Sequence, residues 1–395
     1  MAIELSNLRF TDQADVVPAS GVEEILNTGV ANTLAGDDII TGTKGEFSIL
    51  NYGTIDTADG NDIITGIGGE LSIFNMNLEG DGILNNRGII NTGNGNDIIQ
   101  GIGKFDRGIT TYYGTINMGD GNDTLTGAGP YVGIMMYSGT TDTGKGNDLI
   151  TGTGVVGLYN YVIGDSVFNF NTGDGNDIIT GNTNGNGIDG TRRGSGIMNY
   201  VPMNTGDGND IITGTNINGG SIATGTDSQP ESYGIFNWGS MDTGNGNDTI
   251  TGTNNTEGGH GINNSFYDGI IDTGDGNDII TGSGSIGIHN DGIINTGNGN
   301  DSIIADGGFN GRGNVFLGNG KDYLKGFGSG NFDGGNGKDT LELTAGSYTV
   351  GISTTGVNFT KGSIIMNTSG FEELIAGSTK YDFNRLTNGQ TISVV

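Results

Sequence analysis

The chain has 395 residues, 81 of them glycine, with no cysteine and a formal net charge of −30. That acidity excludes a phosphate-binding surface, which needs clustered Lys and Arg, and works against docking on anionic lipid, so no nucleic acid is expected as a partner. No apolar run approaches the roughly 20 residues of a membrane-crossing helix, so no transmembrane segment is expected either. An acidic, Gly-rich chain with little to bury is either disordered or a repeat architecture that needs only a small core per turn.

At the start, "MAIELSNLRF" has neither the basic nor the apolar stretch of a cleaved secretory leader. Residues 1–31 lack the pattern that follows and are read as an N-terminal cap, with "GVEEILNTG" from Gly21 forming a short helix. Residues 32–342 are repetitive. Aligned on their last Asp, copies of [DN]-T-G-x-G-N-D-x-[IL]-x-G end at Asp38, Asp62, Asp97, Asp123, Asp148, Asp177, Asp210, Asp248, Asp278, Asp301, Asp322 and Asp339. Eleven residues recur unchanged, "NTGDGNDIITG" at Asn171–Gly181 and again at Asn204–Gly214. Successive Asp residues lie 17 to 38 apart, the size of one solenoid coil.

Each coil carries three short apolar pieces: a "GIxN" strand, an "xIxT" strand such as "GIINT" from Gly292, and a "DxIxG" strand such as "DIITG" from Asp278. They are too short and too Gly-broken for helices, and alone they would not be stable in water. Stacked in parallel they pair coil to coil around a narrow Ile/Leu/Val core. The expected fold is all-β, a right-handed parallel β-solenoid of about eleven to twelve coils, with non-repeat caps at both ends. In four copies Asn51, Asn199, Asn237 and Asn290 lie six residues before the motif Thr, which predicts an Asn ladder running through the coils. Extra residues collect at one corner, in "NTNGNGIDGTRRGS" from Asn182, "NGGSIATGTDSQPES" from Asn218, "AGPYV" from Ala128 and "NNTEGGH" from Asn254. Residues 343–395 are less Gly-rich, alternate like ordinary strands, and are read as a C-terminal cap.

The repeated Asp is where the chemistry lies. Carboxylates stacked ~4.8 Å apart repel by roughly 0.9 kcal/mol per neighbour in water and roughly 3.5 kcal/mol at an effective dielectric of 20. Over a dozen coils this opposes stacking by more than a typical domain's net stability, so a positive charge must sit in the row. The chain's own 15 Lys and Arg are too few and out of register. Calcium fits, because it takes carboxylate and carbonyl oxygens with tolerant geometry, whereas Mg2+ demands a stricter octahedron. Zinc is not expected, with no Cys and only His260 and His289, well apart. The predicted ligands are Asp62, Asp97, Asp123, Asp148, Asp177, Asp210, Asp248, Asp278, Asp301, Asp322 and Asp339, with the carbonyls of Gly173, Gly175, Gly206, Gly208, Gly274 and Gly276 turned inward.

The motif resembles the RTX (repeats-in-toxin, hemolysin-type) calcium-binding nonapeptide, G-G-x-G-x-D-x-U-x, with U a large apolar residue. "GGNGKDTLE", Gly334–Glu342, matches every specified position. "LGNGKDYLK" from Leu317 and "TGDGNDIIT" from Thr172 miss only the first Gly, and "TADGNDIIT" from Thr57 also loses the second, to Ala58. "LAGDDIIT" from Leu34 is the most degraded, and no calcium is expected at Asp38. "GFEELIAGS" near the end also looks like an RTX tail. RTX nonapeptides usually come two per coil. One per longer coil implies a wider solenoid with several Ca2+ in one row along one edge. The resemblance further implies type I secretion through residues 343–395 and a place outside, or on the surface of, a Gram-negative-type bacterium. RTX alternation would point Ile98, Ile178, Ile211 and Ile279 outward and Ile99, Ile179, Ile212 and Ile280 inward. The outward stripe is either an exposed interaction surface or is covered by a loop or cap.

No catalytic constellation repeats or converges. Arg87, Arg107, Arg192 and Arg193 are the candidates for a calcium-dependent polysaccharide-modifying enzyme, the two histidines read as surface residues, and Trp238 and its neighbouring Tyr and Phe as stacking core or edge residues. Ice binding, or adhesion, is a second alternative, for which Thr172, Thr205, Thr243, Thr273 and Thr296 offer a column flanked by Asp174, Asp207 or Lys145. The favoured reading is a secreted structural or surface protein acting as a homo-oligomer or polymer, such as a filament, sheath or surface layer, with surface polysaccharide as a further partner.

Overall fold

A computed structural model describes residues 2–18, 23–68, 80–162, 169–183, 194–217, 232–265 and 269–395. Three long sheets of 12, 16 and 15 strands run side by side, and in each the neighbours along the coils come from every third strand of the chain. The chain is therefore a parallel β-solenoid. Sheet I holds the "GIxN" strands, sheet II the "xIx" strands, and sheet III the strands that follow the motif Asp.

Alternation sets the core. In sheet III the partners Ile64, Ile99, Leu125, Ile150, Ile179, Ile212, Ile250 and Ile280 form one buried column. Sheet I contributes Ile83, Ile109, Ile134, Leu158, Ile197, Ile235 and Ile262, and sheet II contributes Ile90, Ile116, Phe170, Met203, Met241 and Ile271. Strands of three to six residues are stable here because each is paired on both sides and closes over the same core. Between sheets III and I the backbones approach closely: a Cβ on Gly181 would lie 2.2 Å from the Gly196 carbonyl oxygen, so only Gly fits that corner.

Both ends differ from expectation. "EILN" is a strand, Glu24–Asn27, not a helix, because Ile25 and Asn27 point inward in register with Ile49 and Asn51; Gly21 and Val22 lie outside the described residues. Parallel pairing already begins with Ala2–Glu4 and Val16–Val17, and the buried Leu5 plugs that end. At the other end Glu373–Ala376 still pairs in parallel with Thr340–Leu343, beyond residue 342. Antiparallel strands Gly346–Ile352, Val357–Lys361, Ile364–Ser369 and Thr391–Val394 then extend sheet II around buried Tyr348, Phe359 and Ile392. This cap covers the apolar end of the stack.

The Asn ladder is present in two runs. Asn27, Asn51 and Asn85 form the first, at 2.9 Å per step, and Asn160, Asn199, Asn237, Asn264 and Asn290 the second. Thr111 and Met136 occupy the position between them. Asn85 and Asn264 escape the six-residue rule because local insertions change the spacing to the motif Thr.

Candidate metal centre

The motif forms the tight turn between sheets II and III. In the coil at residues 172–177, Thr172 and Asp177 are buried, Asp174 and Asn176 are exposed, and Gly173 and Gly175 have φ of +82° and +155°. Left-handed φ accounts for the first Gly, although Leu34 and Ala58 take the same slot at +67° and +60°. The second Gly is fixed by stacking, since a Cβ on Gly175 would sit 1.5 Å from the Gly146 carbonyl oxygen.

The carbonyl oxygens of Gly173, Gly175, Gly206, Gly208, Gly274 and Gly276 each pack against the glycine one coil on, within 2.0 Å of where its Cβ would be, so the coils approach closely along the whole turn.

All twelve motif Asp residues are buried in a single file. Each backbone N–H donates to Oδ1 of the Asp in the following coil, from Asp38 to Asp62 (2.7 Å) through Asp177 to Asp210 (2.8 Å) to Asp322 to Asp339 (2.9 Å). Asp38 belongs to this row fully: its Oδ1 accepts from the Asp15 N–H at 2.7 Å, so the degraded sequence around it does not remove it from the file. Glu372 closes the other end, its Oε2 accepting from the Asp339 N–H at 2.8 Å. Sequence reading missed Glu372, yet "EELIAG" aligns with "DIITG" once Glu is allowed in the Asp slot. A second row runs outside, in which Asn61, Asn96, Asn122, Asn147, Asn176, Asn209, Asn247, Asn277 and Asn300 bond coil to coil; Asn176 donates both N–H and Nδ2 to Asn147 Oδ1, at 2.8 and 2.9 Å.

The other carboxylate oxygen is the unusual one. Oδ2 is buried with no donor in good hydrogen-bond geometry in Asp38, Asp62, Asp97, Asp123, Asp148, Asp177, Asp278, Asp301, Asp322 and Asp339, although the hydroxyls of Thr33, Thr57, Thr92, Thr143, Thr172, Thr273 and Thr296 stand close enough to hold the carboxyls of Asp38, Asp62, Asp97, Asp148, Asp177, Asp278 and Asp301 down against burial. In Asp210 and Asp248 it accepts from Thr205 and Thr243 Oγ1, at 2.6 and 2.7 Å. Burial is the main cause that drives these carboxyls up, to about 8 for Asp123, about 7 for Asp62, Asp177, Asp210 and Asp301, and about 6 for Asp248, Asp322 and Asp339. A file of buried carboxylates whose Oδ2 oxygens meet a Thr hydroxyl at most is a donor set suited to a hard cation. Each turn brings one inward carboxylate, and among the described residues no three His, Cys, Asp or Glu side chains cluster as a metal site. Further ligands would have to be main-chain, hydroxyl or water oxygens.

Other predicted residues separate. The Thr column is buried at Thr172, Thr205, Thr243, Thr273 and Thr296 and faces no solvent, because these side chains line the inside of the turn beside the Asp file. Arg87 lies over the Tyr113 ring at one end of the sheet I strands, while Arg107 contacts Asp106 at the other. Arg192 and Arg193, with most of the two longest insertions, lie outside the described residues. His260 and His289, distant in sequence, are stacked on adjacent strands with ring centroids 5.2 Å apart, and His260 is buried. They are offset by three positions along the paired strands, His260 facing Ile286 and His289 facing Asn263. Tyr112, Tyr137, Tyr161, Tyr200 and Trp238 pack in succession along sheet I, stacked at Tyr112–Tyr137 and Tyr200–Trp238, tilted at Tyr137–Tyr161 and edge-to-face at Tyr161–Tyr200. Ile98, Ile178, Ile211 and Ile279 are exposed, and Ile99, Ile179, Ile212 and Ile280 are buried.

No family model and no curated protein matches the chain. Among solved structures it is similar to the crystal structure of a hyperactive, Ca2+-dependent, beta-helical antifreeze protein from an Antarctic bacterium, at 20% identity over 85% of this chain and 78% of that one, with a TM-score of 0.38. No helix among the described residues is long and apolar enough to cross a membrane.

Proposed function

We propose that the chain is a calcium-stabilised, non-catalytic solenoid scaffold of the RTX kind, secreted, and acting by presenting one of its faces to another copy of itself. The observation that carries this is the buried Asp file, whose Oδ2 oxygens meet a Thr hydroxyl at most. Without cations the file holds carboxylates that burial and mutual repulsion both oppose. A row of Ca2+ would supply the opposite charge and turn the file from a liability into a joint between coils. Almost all of the described chain is coil or cap, so its surfaces are what it has to work with.

The test is a calcium titration of metal-stripped protein, followed by circular dichroism and by calorimetry. Calcium should produce or stabilise the β spectrum, with several ions bound per chain. A β spectrum and thermal midpoint indifferent to calcium at low salt would refute the reading.

A further inference from the structure

Sheet III presents an uncharged outer face. Its outward positions form three columns across nine successive strands, from Ile39–Gly42 to Ile279–Ser283. The first column reads Ile63, Ile98, Thr124, Leu149, Ile178, Ile211, Thr249 and Ile279 from the second strand on. The middle column is Thr65, Gln100, Thr126, Thr151, Thr180, Thr213, Thr251 and Thr281, and the third is apolar or neutral, as at Ile102, Ala128 and Thr153. None of these residues is charged, in a chain of net charge −30. The charges stand elsewhere: sheet II carries Asp56, Asp142, Asp242 and Asp272, and the turn edge carries exposed Asp59, Asp120, Asp174 and Asp207. The neutral face stops where Asp306, Lys325 and Glu342 enter the same columns.

We propose that this face binds the same face of a second copy, sheet against sheet, and closes a two-fold dimer. The inference rests on the scaffold reading and names its contact. Ile98, Leu149, Ile178, Ile211 and Ile279 of the aliphatic column are 38% to 43% exposed. Nine strands ~4.8 Å apart and about five residues long, at ~3.3 Å per residue, make a patch on the order of 700 Å². Two such patches bury roughly 1,400 Å², within the roughly 1,200–2,000 Å² of stable protein–protein interfaces. Two strongly acidic copies can meet on it without apposing carboxylates. A crystalline ligand such as ice fits less well, because it needs the same side chain in every coil, whereas the first column alternates Ile and Leu with Thr124 and Thr249. An isologous contact of this kind is used up by one partner, so association stops at two and does not propagate into a filament.

Thr151 lies in the middle column of the fifth of the nine strands, the centre of the patch, so the two-fold places it opposite its own copy. The chain has no cysteine, which makes Thr151→Cys a clean reporter. In calcium, sedimentation equilibrium of the unmodified chain should give twice 40.5 kDa, or 81 kDa. Thr151→Cys should form a disulfide-linked dimer on air oxidation, and Thr140→Cys on sheet II should not. Thr151→Lys with Thr180→Lys should return the protein to monomer while its circular dichroism stays unchanged. A calcium-folded monomer at tens of micromolar overturns the interface and leaves the scaffold standing, and freezing hysteresis from that monomer would assign the face to ice. Masses climbing past the dimer, or equal cross-linking at Thr151→Cys and Thr140→Cys, overturn the closed face-to-face pair.

Discussion

Asp177 is the most informative single position, because its two oxygens have separate jobs. Oδ1 accepts the buried Asp148 N–H at 2.7 Å, and Oδ2 is buried with no donor in good hydrogen-bond geometry, the Thr172 hydroxyl standing beside the carboxyl. Asp177→Ala removes both; Asp177→Asn keeps an oxygen for Asp148 and replaces the charge with an amide. The difference between the two variants is therefore the orphaned Asp148 N–H, about 1–3 kcal/mol, in any buffer. The charge effect should change sign with the metal. In metal-free buffer at pH 8, with sucrose added to populate the fold, Asp177→Asn removes repulsion from Asp148 and Asp210, an upper bound of roughly 3.5 kcal/mol per neighbour at an effective dielectric of 20. It should then raise the urea midpoint. In saturating calcium it deletes a ligand and should lower that midpoint. Asp174→Ala removes an equal charge from an exposed position and should shift either midpoint by less than about 0.5 kcal/mol. Urea unfolding followed by circular dichroism on the three variants reads all of this. If Asp177→Asn moves stability in the same direction with and without calcium, the buried row is not a cation site.

Metal-free protein should be steadier in acid than in base. The folded carboxyls sit above the ordinary 3.8 of an Asp, at about 7 for Asp62, Asp177, Asp210 and Asp301, so their stabilising contribution is complete below about 3.8 and is lost as pH rises through about 7. Thermal midpoints across pH 4–8 should fall without calcium and rise or hold with it. Glu372→Ala leaves the Asp339 N–H without its acceptor and should cost about 1–3 kcal/mol, with faster amide exchange confined to the last coils, while Glu372→Gln should restore most of it. Gly175→Ala puts a methyl 1.5 Å from a neighbouring carbonyl oxygen and should abolish the calcium-dependent fold by circular dichroism. Asp38→Ala should behave like a row member, since Asp38 both accepts from Asp15 and donates to Asp62.

The coil, its three strands and the single file of motif Asp were legible because each rests on a local regularity. Alternation put Ile179 inward and Ile178 outward, and a fixed offset put Asn199 over Asn237. What escaped depended on neighbours one coil away. The inward set of Thr172 follows from its packing beside Asp177, which a row of letters does not display. The stacking that fixes Gly175 depends on how closely the coils approach, a distance no spacing encodes. Residues 24–27 read as helical from composition, but the register partner Ile49 decides them as strand. Glu372 was hidden by one extra methylene in its side chain.

The two polar rows at the turn run in opposite senses. Asp177 donates its N–H forward to Asp210, whereas Asn176 donates backward to Asn147. Every coil is thus held by its successor on the inside and by its predecessor on the outside, through a junction that is the same at each step. Such a junction makes length a free variable. Excising 178–210, the 33 residues between equivalent Asp positions, would place Asp177 directly before Ile211 and let Asp248 take the place Asp210 held. The shortened chain should refold with one coil fewer and bind correspondingly less calcium. By the same logic, whole coils can be gained by duplication without redesigning a single contact, and the molecule can be cut to the reach that its surroundings require.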